Sequence, residues 1–290
     1  MVVPRPSATN VASVPQRSPF RYPGGKTWLV PQVRQWLSSQ KKRPKLLLEP
    51  FAGGGIVSLT AVAEDLVDEA LLVERDEGVA AVWEAIFSNE GAALGDLILS
   101  FQMNEENVRD ALSSAPRGCL DLAFQTILRN RVNRGGILAE GAGMLKAGEN
   151  GKGISSRWYP ETLARRIHDI AGYRDRLCIL SADGLEAISR HQDEPDTVFF
   201  VDPPYTTGSK RAGSRLYAHS EVDHDLLFAL VSKVRGDILL TYDNDPSVRA
   251  LARIHGLKTK AVAMKTTHHA QMDELLIGHD LAWAKAIHRR

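Results

Sequence analysis

Thr197-Val198-Phe199-Phe200-Val201-Asp202-Pro203-Pro204-Tyr205 is an apolar, β-branched and aromatic run that ends in a carboxylate, two prolines and an aromatic. The first five residues read as a buried strand. The polar end then falls at the strand's carboxyl terminus, where open α/β sheets bind ligands. Pro203 and Pro204 fix φ and remove two backbone donors, so this stretch offers hydrogen-bond acceptors and almost no donors. An acceptor-rich pocket beside the Tyr205 ring suits an amino group on a flat ring.

A second strand, Lys45 to Phe51, opens into Ala52-Gly53-Gly54-Gly55. Glycines there let the backbone turn sharply and approach a ligand closely. The following Ile56 to Val62 segment reads as a helix whose amino terminus favours an anionic group. A third strand, Ala70 to Val73, ends in Glu74, placed to bond ribose hydroxyls. Gly53-x-Gly55 is followed by Ser58, so the nicotinamide fingerprint is incomplete. Upstream lies Phe20-Arg21-Tyr22-Pro23-Gly24-Gly25-Lys26-Thr27. Phe20 stands where a phosphate-binding P-loop needs glycine, and no strand precedes it. An anion-binding turn using Lys26 and backbone donors is the expectation instead. Glycine turn, ribose acid and acceptor-lined strand end together suit a nucleoside cofactor that delivers a group to an amine.

The three motifs, in this order, resemble the Dam-type DNA adenine methyltransferases, from Phe20 to about Gly278. Asp-Pro-Pro-Tyr alone also occurs in RNA and protein methyltransferases; the Tyr-Pro-Gly-Gly-Lys element and a long insertion make the combination more specific. The resemblance implies a Rossmann-like class I sheet, S-adenosyl-L-methionine as cofactor, and methyl transfer to the exocyclic amine of a flipped adenine in double-stranded DNA. It places catalysis on Asp202, Pro203, Pro204 and Tyr205. Cofactor contacts fall on Tyr22, Gly24, Gly25, Lys26, Phe51, Gly53, Gly55, Glu74, Asp183 and Asp202. Glu74 stands where relatives often carry Asp. Arg129 to Gly135 resembles the family's DNA-contacting segment, with Val132 where relatives usually place an aromatic. DNA contacts are expected from Arg21, Arg129, Arg131, Asn133, Arg134 and Lys152. Met272 to Ile277 matches a late strand. An RNA or protein (glutamine) amine methyltransferase, or a non-catalytic nucleic-acid-binding relative, stays open as an alternative.

The 290 residues carry 36 Lys+Arg against 35 Asp+Glu, so no global basic signal marks a nucleic-acid partner; the placement of charge matters more. Cys119 and Cys178 are too few for a disulfide scaffold or thiolate metal site. His268 and His269 lack ligand spacing, so no metal is expected, and no stretch approaches a membrane span. Residues 1–18 read as a flexible tail without a signal-peptide core. The remainder divides into a catalytic domain at 19–87 and 175–290 and an inserted, mainly helical target-recognition domain at 88–174. In the insertion Leu94, Leu97, Ile98 and Phe101 recur at helical spacing. Between Ile127 and Pro160 six basic residues face two acids, a local +4. Asn150-Gly151 signals a basic, glycine-rich hairpin able to track a phosphate backbone. Lys258 to Met264 and Glu274 to Gly278 are expected to close the sheet as an antiparallel pair. In the helix from Asp223 to Val234, Leu226, Leu227, Leu230, Val231 and Val234 form a core-facing stripe. A cytoplasmic monomer is expected.

Overall fold

The computed structural model describes residues 13–21, 24–139, 141–146, 148, 151–204, 222–265 and 271–284. Tyr22, Asn150, Tyr205, His268 and His269 lie outside the described residues, as does most of the expected tail.

Seven strands form one sheet: β1 (Leu46–Glu49), β2 (Glu69–Glu74), β3 (Leu177–Ser181), β4 (Thr197–Val201), β5 (Asp237–Asp243), β6 (Lys258–Lys265) and β7 (Gln271–Gly278). Their order is β3-β2-β1-β4-β5-β7-β6. The pairs from β3 to β5 are parallel, and β7 runs antiparallel to both β5 and β6. All five residues of β4 are buried, as are Leu47, Leu48 and Ile238 to Tyr242. Strands covered on both faces need such continuous apolar runs, which is why no period of two appears in them. The order reverses between β1 and β4. A crevice opens at such a switch point outside the strands' carboxyl ends, and the chain places Glu49 and Asp202 on its two sides.

Helix α1 (Val30–Ser38) precedes β1, α2 (Ile56–Ala63) links β1 to β2, and α3 (Glu77–Phe87) leads from β2 into a helical insertion. The insertion holds α4 (Gly91–Ser100), α5 (Glu105–Ser113), α6 (Cys119–Val132) and α7 (Pro160–Ala171). Helices α8 (Gly184–His191), α9 (His224–Val231) and α10 (Pro246–Ile254) follow later strands. Several starts are written in local chemistry. The Asp76, Asn104, Asp183, Asp223 and Asp245 carboxyl or amide oxygens each accept a first-turn N–H, which satisfies donors that a helix otherwise leaves orphaned.

The insertion is helical, as its periodicity predicts, and its apolar side chains Leu94, Ile98, Ile127 and Leu163 share one continuous core with Trp36, Leu59 and Trp83. Two stripe assignments need correction. Leu97 is 36% and Leu226 46% exposed, while Phe228 is buried; the true faces are rotated because packing against neighbouring helices, α7 for α4 and α8 for α9, chooses them. The expected hairpin at Asn150-Gly151 falls partly outside the described residues, and a bridged turn is described upstream of it. Asn133 bridges Met144 in antiparallel register, with Arg134 N–H donating to Gly143 O and Leu145 N–H to Val132 O. Gly153–Arg157 is instead a 3-10 turn. Positive φ at Gly135 (68°) and Gly136 (75°) turns the chain within this bridged segment.

Candidate active site

Asp202 follows the last residue of β4 at the switch point. Its side chain is 22% exposed. Thr241 Oγ1 on β5 donates to its Oδ1 at 2.8 Å, and Lys26 Nζ lies 2.9 Å from the same oxygen. Lys26 opens a short 3-10 turn (Lys26–Leu29) before α1. It is only 5% exposed, donates to Gly24 O and lies 3.2 Å from Glu274 Oε1 on β7. The expectation of an anion-binding turn built on the Lys26 charge is therefore corrected: two carboxylates of the chain itself hold that charge. Pairing is what makes a buried ammonium tolerable.

Tyr242 is fully buried, and burial first, then the charge of Asp202, pushes its phenol well above the usual range. Its hydroxyl lies 2.6 Å from His224 Nδ1, and burial pushes the His224 pKa down. Thr241, Tyr242, His224 and Glu274 were not among the sequence candidates. Each sits in an apolar strand or at a helix start; the β4–β5–β7 register brings Thr241 and Glu274 to the Asp202–Lys26 pair, and His224 joins through Tyr242.

The glycine turn after β1 is fixed from both sides. Trp83 Nε1 on α3 donates to Gly53 O at 3.0 Å, and Gly53 N–H donates to Glu74 Oε2 at 2.8 Å. Gly55 has φ 58°, and a Cβ there would meet Leu72 at 2.9 Å and Trp83 at 3.1 Å, so the turn excludes other residues. Glu49 Oε2 accepts both the Ser58 N–H (3.0 Å) and the Ser58 hydroxyl (2.5 Å). The Glu49 side chain thus already engages the amino-terminal turn of α2. Burial raises the Glu49 pKa to about 8 against the Ser58 bonds, with the Asp202 and Glu74 charges adding to it.

Glu74 ends β2. Burial leads in raising its pKa to about 7, opposed by its backbone bonds. Oε1 accepts the Arg75 and Asp76 N–H groups and Oε2 that of Gly53. A carboxylate offers about four lone-pair sites, so these bonds leave capacity for one hydroxyl on Oε2. Asp183 caps α8 through Oδ1, with Oδ2 3.6 Å from Arg75. Gly184 packs so closely that a Cβ would meet Pro50 O at 2.2 Å and the Phe51 ring at 3.1 Å, which brings Asp183 against the turn carrying Phe51. Glycine backbone, Glu74 and Asp183 along one sheet edge fit the ribose and adenine of a nucleoside-bearing methyl donor.

The basic segment divides. Arg21, Arg134 and Lys152 are exposed and Arg129 is half-buried. Arg131 is 4% exposed and donates to Pro19 O; Asn133 is 4% exposed and its Nδ2 donates to Ile137 O. Both are withdrawn as DNA contacts, because burial on the inner face of α6 and its end commits them to backbone carbonyls. Tyr22 and Tyr205 lie outside the described residues; Gly24 and Gly25 are exposed, Pro203 is buried and Pro204 half-buried.

The strand order and the helices around it give a Rossmann-like α/β fold. Residues 22–110 match the model of the D12 class N6 adenine-specific DNA methyltransferase family, which implies an S-adenosylmethionine-type methyl donor. No curated protein matches the chain. Similar solved structures include the rRNA methyltransferase aviRa of Streptomyces viridochromogenes, 14% identical over 88% of this chain and 85% of that one, with a TM-score of 0.39. A provisionally named RNA methyltransferase of Pyrococcus horikoshii is 11% identical over 89% and 84%, TM-score 0.39. The precorrin-6y C5,15-methyltransferase of Geobacter metallireducens is 11% identical over 85% of each chain, TM-score 0.35. Overlaps this distant carry no information about substrate. No helix among the described residues is long and apolar enough to cross a membrane.

Proposed function

We propose that the chain is a site-specific DNA adenine-N6 methyltransferase that uses S-adenosyl-L-methionine and acts on an adenine flipped out of double-stranded DNA. The observation that carries this reading is the Asp202 carboxylate at the switch point, oriented by two donors on one oxygen, next to a glycine turn and an acid at the end of β2.

An adenine amine is a poor nucleophile because its lone pair is delocalised into the ring. The Asp202 carboxylate and the Pro203 carbonyl accept its hydrogens, which localises the lone pair and aims it; this is orientation and preorganised electrostatics. Lys26 and Thr241 keep the carboxylate from rotating. The proton that the amine must lose passes from Asp202 to water. The cofactor, when bound, supplies a methyl already activated on a sulfonium, so the protein need provide no nucleophile. Gly53 to Gly55, Glu74 and Asp183 would hold it. Tyr205 would stack on the flipped base, a contact contributing about 1–3 kcal/mol.

DNA contact falls to Arg21, Arg129, Arg134 and Lys152. Arg21 and Arg134 belong to one surface, since the Gly135-Gly136 turn beside Arg134 packs against the Arg21 backbone. The experiment is methyl transfer from labelled cofactor to duplex DNA, RNA and glutamine-containing peptides in parallel, followed by mapping of methylated adenines. Transfer confined to RNA or peptide would replace the DNA reading.

A further inference from the structure

Residues 18 to 21 form an irregular arm between the amino-terminal stretch and Lys26. Three side chains of the insertion hold its backbone. Arg166 Nη1 on α7 donates to Ser18 O at 3.0 Å. Arg131 Nη2 on α6 donates to Pro19 O. Asn130, fully buried on α6, grips the Arg21 peptide from both sides: Oδ1 accepts the Arg21 N–H at 2.9 Å, and Nδ2 donates to Arg21 O at 3.1 Å. The second Nδ2 hydrogen goes to Gly136 O at 2.8 Å. Both donors of the amide are used. The fit is close, since a Cβ on Gly136 would stand 2.2 Å from Arg21 O.

This clamp is costly to keep. Arg131 is almost fully buried, its Nε has no hydrogen-bond partner among the described residues, and the charges of Arg166 and Arg21 disfavour its own. A buried guanidinium held by a carbonyl rather than a carboxylate is a poor stabilising device. Its geometry makes sense as a positioning device, because the arm leads to the reacting site by two routes. Phe20 packs on Trp83 with ring centroids 5.6 Å apart, and Trp83 holds Gly53 O. Five residues beyond Arg21, Lys26 reaches Asp202.

We propose that Asn130, supported by Arg131 and Arg166, is a positioning residue for the reaction: the insertion's helices set the register of the 18–21 arm, and through it the placement of the Gly53 turn and of Lys26 on Asp202. The proposal rests on the methyltransferase reading above, and on the cofactor side of it alone. The helix that carries Arg129, proposed above for DNA contact, thereby also shapes the cofactor turn.

The test uses the full-length chain with Asn130→Asp and, separately, Arg166→Met. Asp keeps the acceptor for the Arg21 N–H but turns an oxygen onto two carbonyls; Met keeps the stem of the half-buried Arg166 and removes its donor. Calorimetric titration with S-adenosylhomocysteine reads Kd and stoichiometry separately. The expected result is a Kd raised about three- to tenfold at unchanged stoichiometry, the scale of one lost hydrogen bond, with kcat on the accepted substrate reduced about tenfold or more. A merely structural role would lower the stoichiometry and melting temperature and leave the Kd of the folded fraction alone; that result overturns the proposal. If Asn130→Asp does not fold, Arg166→Met decides by the same criterion. An unaltered protein that binds no S-adenosylhomocysteine would overturn the functional reading and this proposal together. Binding with transfer to RNA instead of DNA would overturn only the substrate assignment.

Discussion

Lys26 Nζ bridges Asp202 and Glu274, at 2.9 Å from the Asp202 carboxylate on one side and 3.2 Å from the Glu274 carboxylate on the other. A motif near the amino terminus, a strand end in the middle of the chain and a strand near its carboxyl terminus meet at one ammonium. The cation neutralises much of the charge at Asp202 while leaving a carboxylate present to accept hydrogen bonds.

Asp202→Ala should abolish methyl transfer, by about 100-fold or more, the scale for removing one preorganised group. Asp202→Asn should fail as well, since an amide presents a donor where only acceptors serve. Melting temperature is to be followed in both, because the substitutions also take a carboxylate from Lys26. An alanine variant retaining more than about a tenth of the turnover would remove Asp202 from the chemistry.

Lys26→Met should destabilise the protein by about 3–5 kcal/mol, because it takes the cation from the buried Glu274 carboxylate, and Glu274→Gln should destabilise it less, because Lys26 keeps its contact with Asp202. The double variant should lose less than the sum, with a coupling of about 0.5–3 kcal/mol. Urea unfolding of the four proteins of the cycle measures it. Strict additivity would mean that the 3.2 Å contact contributes nothing to the fold.

Glu49 gives a pH prediction. Its pKa is raised by burial from 4.5 to about 8, so the folded carboxyl holds its proton more tightly than the unfolded one. The associated stability is full below about pH 4.5 and is lost as pH rises to about 8. Glu49→Gln keeps an acceptor for Ser58 and removes the titration. The variant's melting temperature should therefore gain on that of the unaltered protein as pH rises through this window. Parallel curves from scanning calorimetry would show that Glu49 does not titrate there.

Arg21→Ala and Arg134→Ala should each weaken DNA binding and flatten the plot of log affinity against log salt by about one unit, as loss of one phosphate contact does. Arg131→Ala should instead lower stability, since it empties a buried site and releases Pro19 O. A salt slope unaltered in the first two variants would move the DNA surface elsewhere on the molecule.

The sequence by itself determined the strands and the chemistry at their ends. β4 matches its apolar run residue for residue, β2 extends its run by one residue at each end, and β1 stops two residues short of Phe51; strands buried on both faces write themselves as continuous apolar runs. Asp202 and Glu74 stand at strand ends for the same local reason, and Gly53 and Gly55 in the turn after β1 because φ is positive at both. What only the tertiary structure decided is everything that depends on which strands are neighbours. β7 enters between β5 and β6, so Glu274 reaches Lys26, and no local pattern encodes that adjacency. Burial is likewise a property of the packed whole. Arg129, Arg131, Asn133 and Arg134 look alike as a basic run, yet the rotation of α6 against the core hides Arg131 and Asn133 and leaves Arg134 in solvent. Lys26 reads as an anion ligand until the fold closes two carboxylates around it, because charge pairing across 176 and 248 residues of chain is made by the sheet and not by the motif.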